Sequence, residues 1–407
     1  MSDGFFTKSF PAPDCSHRQM RGKSTTTALL SFTHECQEAL DSGGEVCSVF
    51  FDLSKAFDTV PHQSLLLKLF HLQVNPFILR WIHSYLSNRT QSVVLNGAQS
   101  DPLPVVSGVP QGSVLGPLLF LVYIDGITSS VSHSKVTIFA DDIALYKIIM
   151  NPRDYTYLQA DISSISTWIS TNELTLNFLK CCYMLFSRKR QPTLPANELF
   201  VGDSHALARV SHYKYLGIHF SSDLSRSYHI DQICKRTRKL VGMLYRNFYQ
   251  FSSSPTLVKL YKSLIRPHLE YACTVWDPHL RRDIQAIENV QKFALRVCSK
   301  SWNTDHNSLL DTLNISTLSA RRTSLKLCLL FKMLTGRVDY PFCPFTRRHT
   351  PYANQHLNTV QLTVPHAHTN QFKYSFFPSA TERWNSLDFD TCGISSPTSF
   401  RFVLANH

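Results

Sequence analysis

The stretch VTIFADDIALY, Val136 to Tyr146, constrains this chain more than any other. Apolar residues run on either side of a single Ala-Asp-Asp, a pattern that predicts two short buried strands meeting at a tight turn with two acids at its tip. Neighbouring residues of a regular strand point to opposite faces, so a turn is what lets Asp141 and Asp142 serve one small volume. Two such charges ~4 Å apart at an effective dielectric of ~20 repel by about 4 kcal/mol, a cost that a divalent cation would reverse. Acids are common in turns, so the weight of this feature comes from what accompanies it.

Its first companion is EVCSVFFDLSKAFDTVPH, Glu45 to His62. Val46, Cys47, Val49, Phe50 and Phe51 make a β-prone run that ends in Asp52, a lone acid where a buried strand meets its loop. Distant in sequence, Asp52 can meet Asp141 and Asp142 across adjacent strands. Three convergent carboxylates suffice to hold two Mg²⁺ ions ~3.5–4 Å apart for in-line displacement at phosphorus, and magnesium suits all-oxygen ligands. The second companion is SGVPQGSVLGPLLFLVYIDGI, Ser107 to Ile127. Pro110-Gln111-Gly112 predicts a turn, and the apolar run behind it a buried helix whose first amides face whatever lies above the sheet.

Composition narrows the class. With 407 residues, 43% hydrophobic and 17% charged, the chain can build two or three domains with cores of their own. A formal charge of +12 and a pI near 9.2 point to a polyanionic partner. Eleven cysteines without CxxC pairs read as reduced core residues of an intracellular protein, nuclear or cytoplasmic and not secreted. The start MSDGFFTKSF lacks the apolar core of a signal peptide. Val114 to Ile124, broken by Gly116 and Pro117, falls short of the ~20 residues of a membrane span, so no membrane partner is expected.

Along the rest of the chain, Lys23 to Leu40 predicts a helix with a capping start at Ser24 to Thr27 and with Leu29, Leu30, Phe32 and Leu40 available for burial. Gly22-Lys23-Ser24 does not make a phosphate loop, because the motif's first glycine would fall on His17 and no strand precedes it. Leu65 to Phe70 and Pro76 to Leu86 predict helices, the second with Ile78, Trp81, Ile82 and Tyr85 as a core stripe. Gln91 to Leu95 and Leu103 to Val106 suit strands. Leu158 to Leu174 suits a helix with Ile162, Ile165, Trp168 and Ile169 inward, and Tyr183 to Ser187 a strand with Lys180 just before it. A strand pair is expected in SHYKYLGIHF, Ser211 to Phe220. This order is that of a small mixed sheet with helices packed on one face.

Helices are expected beyond Asp223. In the first, Ile230, Ile233, Leu240 and Leu244 face one way, while Lys235, Lys239 and Arg246 line another side. In the second, Ile284, Ile287, Val290, Ala294 and Val297 form the apolar stripe, with Lys292, Arg296 and Lys300 outside. Such basic faces suit phosphate backbone. His366 and His368, without acidic or cysteine partners, read as surface residues.

FFDLSKAFDTVPH, SGVPQGSVLGPLLFLVYIDGI and VTIFADDIALY, in that order, resemble the palm of reverse transcriptases, specifically those of non-LTR retrotransposons of the jockey-like and long interspersed element type. The resemblance continues through LTLNFLK, HYKYLGIHF, LYKSLIRPHLEYACTVWDP, IENVQKFALRV and YSFFPSATERWNSL, and so covers most of the chain from about Gly22 onward. It implies an α+β, right-hand polymerase fold: partial fingers in 1–44, a ferredoxin-like palm in 45–220, a helical thumb in 221–300 and a C-terminal helical or irregular extension in 301–407.

By the same resemblance Asp52, Asp141 and Asp142 are the catalytic, metal-binding acids, with the Leu53 carbonyl an extra ligand for two Mg²⁺ ions, or Mn²⁺ in their place. Lys55, Ala56, Phe57, Gln111, Gly112 and Lys180 are implied nucleotide contacts, Phe57 as the steric gate against a ribose 2′-hydroxyl. Tyr215, Leu216 and Gly217 are the implied primer grip, and Lys235, Lys239 and Arg246 are expected on the nucleic-acid backbone. The implied reaction joins a deoxynucleoside triphosphate to a DNA primer 3′-hydroxyl on an RNA template. Ser16 to Gln19 depart from the family's Gln-aromatic-Gly-Phe pattern, and Arg18, Arg21 and Lys23 match no fingers motif. The fingers are therefore expected to be N-terminally truncated, with a separate endonuclease or fingers-bearing chain as a further partner. The alternative reading is a catalytically inactive nucleic-acid-binding remnant.

Overall fold

The computed structural model describes residues 24–202, 204–338, 340, 361–387 and 396–406. The departures at Ser16 to Gln19, Arg18, Arg21 and Lys23, and the rejected phosphate loop at Gly22-Lys23, lie outside the described residues apart from Ser24. The elements that matter below are α1 (Thr25–Asp41), β1 (Glu45–Phe51), α2 (His62–His71), α3 (Pro76–Leu86) and α4 (Leu115–Ile124), followed by β2 (Lys135–Phe139), β3 (Asp142–Ile149), α5 (Asp154–Thr171), β4 (Cys182–Phe186), β5 (Ala208–Arg209), β6 (His212–Tyr215), β7 (Ile218–Ser221) and α6 (Ser227–Phe248).

The described residues divide into two compact units, one within Glu45–Leu185 and 189–210, the other within 24–44, Phe186–Arg188 and 211–406. These limits run differently from the four segments expected. Helix α1 groups with the helical unit because most of its circumference is buried, Ala28, Leu29 and Phe32 completely.

The first unit is built on a five-stranded mixed sheet in the order β5-β4-β1-β3-β2. Its middle strand, β1, is buried along its whole length, which is why it reads as a near-continuous apolar run rather than an alternating one. Strands β1 and β3 pair antiparallel from Glu45 with Ile149 to Phe51 with Ile143, β2 and β3 form the predicted hairpin, and β4 and β5 run parallel. Cys47, Val49, Phe51, Ile138, Ile143 and Leu145 share one core with Ile162, Ile165 and Ile169 of α5 and with Leu119, Phe120 and Tyr123 of α4. Trp168 packs against that core while only partly buried.

Two expectations for this unit change. The stripe on α3 is core only in part: Ile82 and Leu86 are buried, whereas Trp81 is 55% exposed. Ile78 and Tyr85 are partly buried against the core, and Trp81 alone of the stripe is exposed, about 100° around the helix from the buried Ile82. The expected strands at 91–95 and 103–106 are two-residue pairings, Thr90–Gln91 with Leu103–Pro104 and Val94–Leu95 with Ala98–Gln99.

In the second unit, α1 starts on a capping box: the Ser24 amide donates to Thr27 Oγ1 at 2.8 Å and the Thr27 amide to Ser24 Oγ at 3.3 Å, satisfying two of the donors a helix start leaves open. Phe32 meets Phe186, Tyr215 and Phe220 edge-on. The hairpin β6–β7 pairs His212 with Ser221 through Tyr215 with Ile218. Helix α6 buries Ile230, Cys234, Thr237, Val241 and Leu244, so its inner face is rotated from the one expected, and Ile233 and Leu240 sit at its margins. The helix Arg281–Ser299 buries Ile287, Val290, Ala294 and Val297 as expected and adds Gln291, Leu295 and Cys298. Lys292 and Arg296 are half-buried, and Lys300 lies beyond the helix end with its ammonium 5.3 Å from the Tyr249 ring. Inside this unit Arg322, 1% exposed, donates to Asp277 at 2.9 Å, and Lys326 pairs with the other oxygen at 2.7 Å. Burial pushes the Asp277 carboxyl up, but these two cations outweigh it and hold the group below its ordinary range.

Among the described residues the free cysteines are buried, except the half-buried Cys328, as expected of core thiols. No described helix is long and apolar enough to cross a membrane. The His366 and His368 rings lie 4.7 Å apart, and the His368 amide donates to Asp41.

Candidate active site

The sheet places the acids by register. Phe51 pairs with Ile143 at the end of the β1–β3 ladder, and the next residues out are Asp52 and Asp142. Phe139 pairs with Asp142 in the β2–β3 hairpin, so the turn consists of Ala140 and Asp141. Asp142 is thus the first residue of a strand, and only Asp141 of the two occupies the turn itself. Ala140 has φ of 55°, the left-handed region that a side chain enters at a cost. The turn carries this strain at the point where the acids are presented.

Asp142 senses the other two carboxylates. Asp142 keeps solvent access, yet burial by the surrounding chain, followed by the charges of Asp141 and Asp52, pushes its carboxyl up to about 6. Asp52 is turned toward Lys180, whose ammonium lies 3.4 Å away. A Mg²⁺-type cation asks for oxygen donors, and this set supplies them. The Leu53 carbonyl adds to it: Leu53 bridges Leu176, but the bonds of that bridge run from the Ser54 amide to Thr175 O and from the Asn177 amide to Asp52 O. Leu53's own carbonyl is therefore left outside the bridge. The donor chemistry fits a divalent ion, but the side chains do not close on one: among the described residues, no three His, Cys, Asp or Glu side chains are arranged to hold a metal ion. Asp52 leans on Lys180 instead, and such an exposed pair is weak enough to exchange.

The loop after Asp52 carries the next group. Lys55 has φ of 47°, and its carbonyl accepts from the Asp58 amide at 2.8 Å. The turn so formed uses carbonyls of Lys55 and Ala56, while Ala56 is buried and Lys55 exposed. The Phe57 ring lies 4.5 Å from that of Phe120 on α4, tilted by 32°. Its carbonyl accepts from the Val109 amide at 2.7 Å.

Sequence reasoning missed two residues that join this loop to the Pro-Gln-Gly turn. Asp58 Oδ1 accepts from Gln111 Nε2 at 2.7 Å, and its carbonyl accepts from Ser107 Oγ at 3.0 Å. Gly108, at φ of 90°, packs so tightly that a Cβ there would lie 2.7 Å from the Asp58 backbone. The signal available was an acid directly after Phe57 and a glycine three residues before Gln111, each unremarkable until the fold brings them together. Ser113 Oγ accepts from the Gly116 amide at 2.9 Å, so one of the α4 amides expected to face a ligand is already used.

In the second unit, the expected primer-grip residues form the β6–β7 turn. Leu216 and Gly217 have φ of 44° and 85°, both left-handed as a two-residue hairpin requires. Tyr271 Oη donates to Leu216 O at 3.0 Å. Lys235, Lys239 and Arg246 are exposed along α6, and Lys235 pairs with Asp231 at 2.6 Å.

The family profile described as "Reverse transcriptase (RNA-dependent DNA polymerase)" matches residues 8–220. A probable RNA-directed DNA polymerase from transposon X-element of Drosophila melanogaster is 29% identical over 73% of this chain and 33% of its own length. The RNA-directed DNA polymerase from mobile element jockey of Drosophila funebris is 30% identical over 72% of this chain and 32% of its own. The chain thus spans about a third of the length of these curated relatives. Among solved structures, apo telomerase from Candida tropicalis superposes at a TM-score of 0.39 with 11% identity, over 80% of this chain and 56% of that one, too loosely to carry weight. With the family profile covering more than half of its residues and the jockey and X-element proteins among its relatives, the chain belongs to the reverse transcriptase family and is jockey-like within it.

Proposed function

We propose that this chain is an RNA-directed DNA polymerase that joins a deoxynucleoside triphosphate to a DNA primer 3′-hydroxyl on an RNA template. The observation that carries this reading is the register that puts Asp52 and Asp142 side by side one residue beyond the β1–β3 ladder, with Asp141 in the adjoining turn. Reverse transcriptases work with divalent metal ions. Here Asp52, Asp141, Asp142 and the Leu53 carbonyl would hold two Mg²⁺ or Mn²⁺ ions. When bound, such ions lower the pKa of a bound hydroxyl and neutralise phosphate charge.

The chain's own residues do the rest. Phe57, fixed by Phe120 and by the Val109 amide, presents a flat ring under the sugar and excludes a 2′-hydroxyl. Lys180 releases Asp52 and offers its charge to the leaving pyrophosphate, as phosphoryl transfer favours. The amides of Lys55 and Ala56 cradle the triphosphate, and Gln111 and Gly112 meet the nucleotide with Gln111 held by Asp58. Residues 45–220 act as palm and 221–300 as thumb, with fingers contributed from 1–44 and an extension in 301–407. Tyr215, Leu216 and Gly217 support the primer end, and Lys235, Lys239 and Arg246 follow the backbone.

Primer extension on an RNA template with Mg²⁺ tests the reading, with Asp141→Asn as the control. Extension is expected from the parent and not from the variant, while template binding survives. Extension that persists in Asp141→Asn would remove the aspartates from the chemistry.

A further inference from the structure

We infer that the outer face of α3 is a stacking platform for single-stranded RNA. Phe77, Trp81 and Tyr85 recur every four residues, so they form one row along the helix. Phe77 is 74% exposed and Trp81 55%, while Tyr85 is half-buried. The Trp81 and Tyr85 rings lie 6.0 Å apart and within 18° of parallel. Tyr85 packs in part against the core and anchors the row, but the inner face of the helix is already satisfied by Ile82 and Leu86, so packing within the unit does not explain the exposed Phe77 and Trp81.

The charge around the row selects the occupant. From Thr59 to Ser100 the chain contains no Asp or Glu. Lys68, in that span, is committed to the core: it donates to Tyr123 O at 2.6 Å and lies over the Tyr123 and Trp168 rings. Arg80 and Arg89 are at the surface instead. Arg80 stands 4.8 Å from the Phe77 ring centre and Arg89 5.4 Å from that of Tyr85. Exposed rings interleaved with arginines, in a span that contributes no carboxylate of its own, suit unpaired bases and their backbone. A duplex hides its base faces and would not use the rings. The choice of RNA over DNA rests on the polymerase reading, in which the strand that enters unpaired is the template.

The test uses the full chain and a 5′-fluorescent oligouridylate of about 20 nucleotides, with oligothymidylate and duplex RNA of the same length as further arms. Phe77→Ala with Trp81→Ala is expected to weaken oligouridylate binding by about tenfold or more, the loss of two stacked bases, and to leave duplex binding nearly unchanged. Trp81→Phe alone should retain most of the affinity, since a ring remains. Oligouridylate affinity that ignores the double substitution overturns the platform, as does a loss confined to oligothymidylate or one that is equal on duplex RNA. Self-association of the parent that the double variant abolishes, with RNA affinity intact, would make the face a protein interface and also overturn it. Primer extension on the same preparations separates the two readings. A chain that extends but binds RNA regardless of the row loses only the platform, and one that needs the row for binding yet never extends loses only the polymerase.

Discussion

Asp52 and Asp142 stand opposite one another one residue beyond Phe51 and Ile143, the last pair of the β1–β3 ladder. The ladder's hydrogen bonds fix both backbones, so the carboxylates can separate only by turning their side chains. Asp52 does so toward Lys180, and the Asp142 carboxyl rises to about 6 under burial and the charges of Asp141 and Asp52.

That rise has a sign in stability. A carboxyl that holds its proton more tightly folded than unfolded contributes most at low pH, and the contribution is lost as pH climbs from about 4 to about 6. Asp142→Asn should therefore flatten the stability profile in that window and leave the fold more stable than the parent at neutral pH. Urea unfolding at pH 4, 5, 6 and 7 checks this, and parallel profiles for the two proteins would contradict it. Added Mg²⁺ should stabilise the parent more than the variant, because only the folded parent presents the full set of carboxylates.

Phe57→Val should admit ribonucleotides. The ring packs on Phe120 and its backbone is pinned by the Val109 amide, and under the proposed gate role a short side chain would remove the collision with a 2′-hydroxyl. Discrimination should fall by about one order of magnitude or more, the scale on which a pocket rejects a small added group. The ratio of kcat/KM for deoxy and ribo substrates measures it, and an unchanged ratio would take the gate away from Phe57.

Gly108→Ala should be costly although only a methyl group is added. The position combines a left-handed φ with a contact of 2.7 Å to the Asp58 backbone, and backbone strain and overpacking together make about 2–6 kcal/mol. Because Phe57 and Asp58 are neighbours, the surviving folded fraction should also show altered sugar discrimination. A urea midpoint equal to that of the parent would show that the loops move apart freely. Asp58→Ala should cost less stability, since its bond to Gln111 is exposed, and should raise KM for the nucleotide.

On α6, Lys239 should matter more than Lys235 for nucleic-acid binding, because Lys235 is already engaged by Asp231 at 2.6 Å. Lys239→Ala should lower the slope of log affinity against log salt by about 0.7 to 0.9, the value of one phosphate contact, and Lys235→Ala by less. Equal slopes in parent and Lys239→Ala would return this face to ordinary solvated surface.

Local chemistry in the sequence was enough for the acids, the strands that carry them and the family, because each lies inside a short pattern: a buried run ending in Asp52, an Ala-Asp-Asp between apolar strands, a Pro-Gln-Gly ahead of an apolar helix. The capping box at Ser24 was legible for the same reason. Faces of helices were not. Whether Trp81 turns inward, or Cys234 and Thr237 replace Ile233 and Leu240 on the buried side of α6, depends on which neighbours arrive from far along the chain. The clasp of Asp58 by Gln111 and Gly108, and the leaning of Asp52 on Lys180, are likewise contacts between distant segments. Periodicity records that a face is apolar, but only tertiary packing decides what meets it, and polar pairs close only once the sheet has set their distance.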